Sequence, residues 1–466
     1  MKNIKKISWS AFASIGGAAI DVIKLSYLAH YLNANEFGIF AIAVVVLGFC
    51  QLFSESGLGN ALISHDNLNK KLAGQTLYLG LFLALFIYML AWFFSPVISA
   101  YYKIPELTYL IPLLLLALPF VTMSTIFQAL LQKQMRIELI SKCLITSKVI
   151  SLITVILLIE KLDGITVLAS SNLSSAISYF ILLLPFSFKL IKLNTVPKLE
   201  VIKPILNFSK FQLGEFSLSF LCRNLDILLI TKLLGSEQGG IYSVIKNMFI
   251  KVGEIMFQTF HRFFYPLLVE KRRLGEQITI SFLNYFILNL ILTFFAYAFI
   301  SVNIEFAVAL LLGDNFTNYL DLALLICAWF IIRFATAPIS TLWLACNRPE
   351  VGLYWNLLGT LLIPLALLST YQLGINSIIY AMTLIQLIML ILIIPLSSFL
   401  ISCRTFKTKK MLYYVCLLCV TVVLTYSPLL LIPNSVNQSL FGSFILIVSF
   451  ILLAYKQRES IKVIFK

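Results

Sequence analysis

The sequence predicts an all-α integral membrane protein of about 14 transmembrane helices, built as two pseudo-symmetric six-helix lobes plus two extra C-terminal helices, with both termini cytoplasmic. Three observations carry that expectation: the composition, the spacing of apolar blocks, and the placement of basic residues between them. Of 466 residues, 60% are hydrophobic and only 12% charged, and 38 are Phe. The mean hydropathy is +0.96. Soluble domains run at about 45–50% apolar and about 25% charged, so an assembly of water-soluble domains is excluded. The formal charge of +15 does not point to nucleic acid, because the basic residues lie between apolar blocks and not in one solvated patch.

A bilayer-spanning helix needs about 20 mostly apolar residues, and polar or Gly/Pro-containing breaks divide the chain into such runs. The first, 8–32, follows Lys2, Lys5 and Lys6 and imitates a secretory signal. It is too long for one and lacks a small-residue cleavage site, so it reads as the first transmembrane helix. The following runs are 36–56, 72–98, 107–131, 140–159 and 165–188, then 206–231, 238–267, 277–300, 320–346, 351–370 and 374–402, and finally 411–432 and 438–455. Between the ninth and tenth runs, 301–319 is apolar but too short to cross, and reads as an interfacial or re-entrant piece. The chain thus divides into a lobe 1–190, a cytoplasmic linker 191–205, a lobe 206–402 and an appendage with a basic tail, 403–466.

The Lys and Arg residues give an independent check, because cytoplasmic loops collect positive charge. With the N-terminus inside, 23 of the 35 fall in inside segments and three outside, at Lys103, Lys161 and Lys232. One helix too many or too few would invert the bias downstream. The other nine lie within the spans: Lys24, Lys142, Lys148, Lys210, Arg223, Lys246, Lys251, Arg262 and Arg333.

The two halves align at an offset of 202, with Leu32 to Phe40 set against Leu234 to Tyr242 and Gly38 against Gly240. Each copy sits in the short turn between a helix pair, first and second or seventh and eighth. Six helices separate the copies, so both run the same way through the membrane, and a V-shaped cavity between two lobes is the expected consequence.

These stretches resemble a known family. Trp9 in the basic-then-apolar start, "LAHYLNANEFGIFAIAVVVLGFCQLFSESGLGNALIS" (28–64), "NLDILLITKLLGSEQGGIYSV" (224–244) and Tyr265-Pro266 are similar to the bacterial O-antigen and exopolysaccharide flippases of the multidrug/oligosaccharidyl-lipid/polysaccharide exporter superfamily. In that family an Arg usually occupies the position taken here by His30. The resemblance implies a bacterial inner-membrane protein that flips an undecaprenyl-pyrophosphate-linked oligosaccharide, with polysaccharide polymerase and chain-length machinery as partners.

The charges within the spans give the candidate site. A charge near the bilayer centre costs several kcal/mol and so faces a partner or a water-filled cavity. Lys246 and Arg333 have no acidic residue three or four positions away and head the list of groups for a pyrophosphate, followed by Lys24, Arg223, Lys251 and Lys148. Arg223 with Asp226 and Lys251 with Glu254 are spaced i,i+3, and each reads either as a structural pair or as a ligand group. On the seventh helix Glu215 shares a face with Arg223 and Asp226; on the eighth His261 and Arg262 join Lys246, Lys251 and Glu254. The repeat sets Asp21 against Arg223 and Lys24 against Asp226, so these four are read as a gate that pairs across the lobes. Asp21, Asp226 and Glu254 are also the carboxylates for a coupling proton or sodium ion.

Other readings are narrower. No phosphate-binding G-x-x-x-x-G-K-[ST] motif occurs, so ATP-driven transport within one chain is excluded and secondary transport remains. No catalytic residue, cofactor or resident metal is expected. Cys416 and Cys419 form a C-x-x-C in an apolar helix without acidic or His neighbours, and read as packing. A polysaccharide polymerase or ligase would need a catalytic set on a large external loop, yet 301–319 offers only Glu305 and Asp314. A multidrug exporter would favour acid-lined lobes over a cationic cavity. A peptidoglycan lipid II flippase would use the same chemistry, and nothing physical in the sequence separates its substrate from an O-antigen or exopolysaccharide unit.

Overall fold

The computed structural model describes residues 2–55, 58–59, 62, 70–192, 199–275, 278–346, 348–400 and 446. The two C-terminal helices expected at 411–432 and 438–455, the basic tail and the Cys416/Cys419 motif lie outside the described residues, as do the side chains of Lys210, Glu215 and Arg262. The described chain is helical throughout. In chain order the helices are α1 (Lys2–Ala29), α2 (Ala34–Glu55), α3 (Lys70–Tyr102), α4 (Leu107–Leu115), α5 (Leu118–Lys133), α6 (Ile137–Leu158), α7 (Gly164–Ser187), α8 (Leu199–Leu234), α9 (Ser236–Arg273), α10 (Ile278–Val302), α11 (Ile304–Leu312), α12 (Leu320–Ala345), α13 (Pro349–Thr370) and α14 (Ile375–Leu400).

Among the described residues nine helical segments are long and apolar enough to cross a membrane, from Ala34–Glu55 to Ile375–Ile393. The long helices outside that set are α1, α8 and α9, which carry the charges at 21, 24, 223, 226, 246, 251 and 254. On α3 the large apolar side chains point outward, with Phe82 65% and Phe93 67% exposed. Water would penalise such a surface; hydrocarbon does not. The segment 301–319 forms the short α11 and a single-turn helix Asp314–Tyr319, too short to span.

Two compact units divide the chain, Met1–Ser243 and Val244–Lys466. In the first, α6 packs along α7, with α1 against α6, and α2 against α3, α4 and α8. Small side chains permit the close approach: Ser147 and Ser151 of α6 and Ser171 of α7 are buried, and the Ser151 hydroxyl donates to the Ser171 carbonyl at 2.9 Å. The core of this unit is aliphatic, centred on Ile42, Leu107, Ile111 and Leu114. One run expected as a single helix, 107–131, is broken between α4 and α5 at Leu116–Ala117. Pro119 causes the break, because its ring has no N–H for the Leu115 carbonyl and would clash with it. In the second unit α12 packs on α10 and α14 around an aromatic core that includes Phe282, Tyr285, Phe286, Phe294 and Trp343.

The repeat turn has a physical basis. Asn33 and Glu36 cap α2 reciprocally: the Glu36 N–H donates to Asn33 Oδ1 at 3.0 Å, and the Asn33 N–H donates to Glu36 Oε2 at 2.9 Å. The two copies also touch. A Cβ at Gly38 would fall on the Ser236 carbonyl oxygen, and one at Gly240 on the Ala34 carbonyl oxygen. Residues 34 and 236, like 38 and 240, are partners at the offset of 202, so the contact is reciprocal.

Candidate functional site

Polar side chains in an apolar bundle need partners or a wet cavity, since hydrocarbon cannot solvate them. Within Met1–Ser243 they gather around a cavity of about 330 Å3 between α2, α5, α6 and α7, bordered by Ala117 at the α4–α5 break. Its polar lining comes from Gln51 on α2, Ser124, Thr125 and Gln128 on α5, Ser147 and Lys148 on α6, and, on α7, Asn172, Ser175 and Tyr179. The last three are spaced i, i+3 and i+7, which places them on one face of α7.

Part of this polar capacity is already engaged. Tyr179 donates its hydroxyl to Gln128 Oε1 at 2.9 Å, and Asn172 Nδ2 donates to the Leu168 carbonyl at 3.1 Å. Lys148 Nζ donates to both carboxylate oxygens of Asp21 on α1, each at 2.9 Å. The pair is partly shielded, its side chains 28% and 33% exposed. Lys24, one turn on from Asp21, donates to Ser151 Oγ at 3.3 Å. The Gln51 and Ser175 side chains have no hydrogen-bond partner among the described residues. The lining cation is therefore engaged by a carboxylate, and the capacity left unused is uncharged amide and hydroxyl.

The expected gate is rearranged here. Asp21 pairs with Lys148 and Lys24 bonds Ser151, instead of Arg223 and Asp226. Helical spacing could not show this, because the partners stand 127 residues apart on different helices. Lys148 has no partner on its own helix and finds one on α1. Asp226 on α8 is buried and accepts from the Tyr242 hydroxyl at 2.6 Å and from the Ile227 N–H at 2.8 Å. Arg223 is exposed and its Nε donates to the Ser219 carbonyl.

In the second unit Lys251 and Glu254 form the pair their spacing allows, at 3.2 Å. Lys246 is buried at 2% exposure. The Arg333 guanidinium stacks over Trp329 at 5.3 Å and makes no ion pair or hydrogen bond among the described residues. Of the leading sequence candidates, Arg333 thus keeps its whole donor fork available, held from behind by an aromatic face. The sequence reading followed charges and so overlooked Gln51, Gln128 and Asn172. Amides inside apolar spans were the available signal.

Comparison with known proteins gives a consistent set of likenesses. Residues 27–321 match the model of a family described as "Polysaccharide biosynthesis protein". The teichuronic acid biosynthesis protein TuaB of Bacillus subtilis is 24% identical, with 78% of this chain and 76% of that protein covered. The lipopolysaccharide biosynthesis protein WzxC of Escherichia coli is 22% identical, covering 84% of this chain and 80% of the relative. Among solved structures, the lipid II flippase MurJ in an inward closed conformation superposes with a TM-score of 0.71 at 13% identity, over 98% of this chain and 100% of that one. An inward-facing multidrug transporter of the MATE family gives 0.58 at 14% identity, over 87% and 99%.

Proposed function

The chain belongs to the polysaccharide biosynthesis protein family, and from that premise we propose that it is a flippase carrying undecaprenyl-pyrophosphate-linked oligosaccharide repeat units, of O-antigen or exopolysaccharide, across the bacterial cytoplasmic membrane. The observation that carries this reading is a hydrogen-bonding cavity inside a multi-pass helical membrane fold whose family match spans it. The names of TuaB, WzxC and MurJ support the same class of cargo, a glycan on its way to the cell surface. The role is transport and not catalysis.

The driving force in this reading is an ion gradient, a proton or Na+, with Asp21, Asp226 and Glu254 as the carboxylates that load and unload during alternating access. Arg333 and Lys246 lead the groups for the pyrophosphate, then Lys24, Arg223 and Lys251, whereas Lys148 is engaged by Asp21. A guanidinium fork matches two phosphate oxygens at once, which favours Arg333. Polysaccharide polymerase and chain-length machinery would take the product.

Deletion of the gene in its native strain tests the proposal. Undecaprenyl-linked repeat units should accumulate on the cytoplasmic leaflet, with surface polysaccharide lost. Intact surface polysaccharide with altered drug sensitivity would instead favour a multidrug exporter, and loss of peptidoglycan synthesis a lipid II flippase.

A further inference from the structure

We propose that the cavity between α2, α5, α6 and α7 is a subsite for a single sugar ring of the transported glycan, recognised through uncharged hydrogen bonds and separate from any group that holds the pyrophosphate. The inference rests on the flippase reading and deepens it. Three features of the cavity define the ligand class.

The first is size. At about 330 Å3 the space lies at the small end of the roughly 300–1,000 Å3 range of ligand sites, room for one ring and not for a repeat unit. The second is charge. The one cation on its lining, Lys148, is held by both oxygens of Asp21, so an anion entering would lose its water to meet a cation already engaged by a carboxylate. That disfavours the pyrophosphate and leaves neutral polar ligands.

The third is the kind of hydrogen-bonding capacity left open. Among the described residues, Gln51 offers an amide with both donors and acceptor unused, and Ser175 an unused hydroxyl. Gln128 has its carbonyl oxygen taken by Tyr179 but its NH2 free; Asn172 keeps its carbonyl oxygen, and Tyr179 keeps its oxygen lone pairs. Donors and acceptors are thus interleaved around one space. A sugar hydroxyl is both donor and acceptor, so a ring bearing several of them can exchange its bonds to water for bonds to this set one for one. An apolar drug would leave these amides unsatisfied at a cost.

The test measures binding of two lipids to the full chain in detergent: undecaprenyl pyrophosphate carrying the repeat unit isolated from the deletion strain, and sugar-free undecaprenyl pyrophosphate. Gln51→Leu and Ser175→Ala are the primary variants, because neither side chain bonds another described residue, so their loss leaves the described hydrogen bonds intact. Gln128→Leu and Asn172→Leu follow, each checked for an unchanged thermal unfolding midpoint. Each primary variant should weaken binding of the glycosylated lipid about tenfold, the effect of one lost polar contact, and leave the sugar-free lipid unaffected. Equal weakening for both lipids, or no weakening for either, overturns the subsite while the flippase reading stands. A wild-type chain that binds neither lipid overturns the flippase reading and the subsite with it.

Discussion

Adding one methyl group at Gly38 tests the reciprocal contact between the two repeat copies. A Cβ there lands on the Ser236 carbonyl oxygen, and at Gly240 on that of Ala34. Both obstacles are backbone in the first turn of a helix, so no side-chain rotation relieves them and the helices must separate. Overpacking of this kind costs about 1–3 kcal/mol, and a rigid backbone obstacle puts Gly38→Ala and Gly240→Ala near the upper end. At about 3 kcal/mol, amides at 34–40 and 236–242 should exchange with solvent deuterium roughly a hundredfold faster. The two sites share one seam, the Gly240 nitrogen lying 3.0 Å from a Gly38 Cβ. Separation forced by the first substitution relieves the second, so the double variant should cost well below the sum of the singles. Gly17→Ala is the control: nothing lies within 4 Å of its Cβ. It should be neutral, or stabilising by about 0.5–1 kcal/mol in a helix interior. Unchanged exchange in Gly38→Ala, or strict additivity in the double variant, refutes the seam.

Lys148→Met strands the Asp21 carboxylate; because the pair is about a third exposed, the expected loss is about 1–3 kcal/mol, below that of a fully buried pair. Asp21→Asn with Lys148→Met should recover much of it in a thermal-unfolding mutant cycle, and simple additivity would count against the pair. Tyr242→Phe deprives the buried Asp226 carboxylate of a 2.6 Å hydrogen bond and should destabilise by about 1–3 kcal/mol, read as a lower unfolding midpoint. Arg333→Lys keeps the charge but loses the fork, so the half-saturating concentration of lipid-linked oligosaccharide in proteoliposome flipping should rise about tenfold. An unchanged value removes Arg333 from the pyrophosphate candidates.

The helices were legible in the sequence because a spanning run announces itself by length and apolarity. The described runs start and end within a few residues of expectation, except where α1 begins at Lys2 ahead of the expected 8, where Pro119 divides 107–131 and where α8 and α9 extend past the bilayer-length estimate. The short 301–319 segment was legible for the same reason, as was the Lys251–Glu254 pair, which follows from helical spacing. Contacts between distant segments were not. Asp21 and Lys148 meet because α1 packs on α6, and neither spacing nor the repeat alignment encodes that packing. The repeat motif itself was visible while its physical content was hidden: Glu36 belongs to a helix cap and Gly38 to a backbone crossing, so both work as architecture. The cavity went unread because single uncharged amides on three separate helices, Gln51, Gln128 and Asn172, form no pattern along the chain.

The way charge is balanced within each unit has a consequence for how one substrate is recognised. In Met1–Ser243 Asp21 engages Lys148, so the capacity left open in the cavity beside the pair is uncharged amide and hydroxyl. A pyrophosphate entering there would exchange full hydration for neutral dipoles, a loss of several kcal/mol per ion, whereas sugar hydroxyls give up water bonds and regain equivalent ones. In Val244–Lys466, Arg333 is backed by the face of Trp329 and forms no ion pair among the described residues, so its charge is oriented by an aromatic ring. Under the proposed function, the neutral and anionic parts of the substrate therefore call on different stretches of the chain. Substitutions at Gln51, Gln128 or Asn172 should change which glycan is preferred, while those at Arg333 should weaken every undecaprenyl-pyrophosphate-linked cargo by a similar factor, whatever sugar it carries.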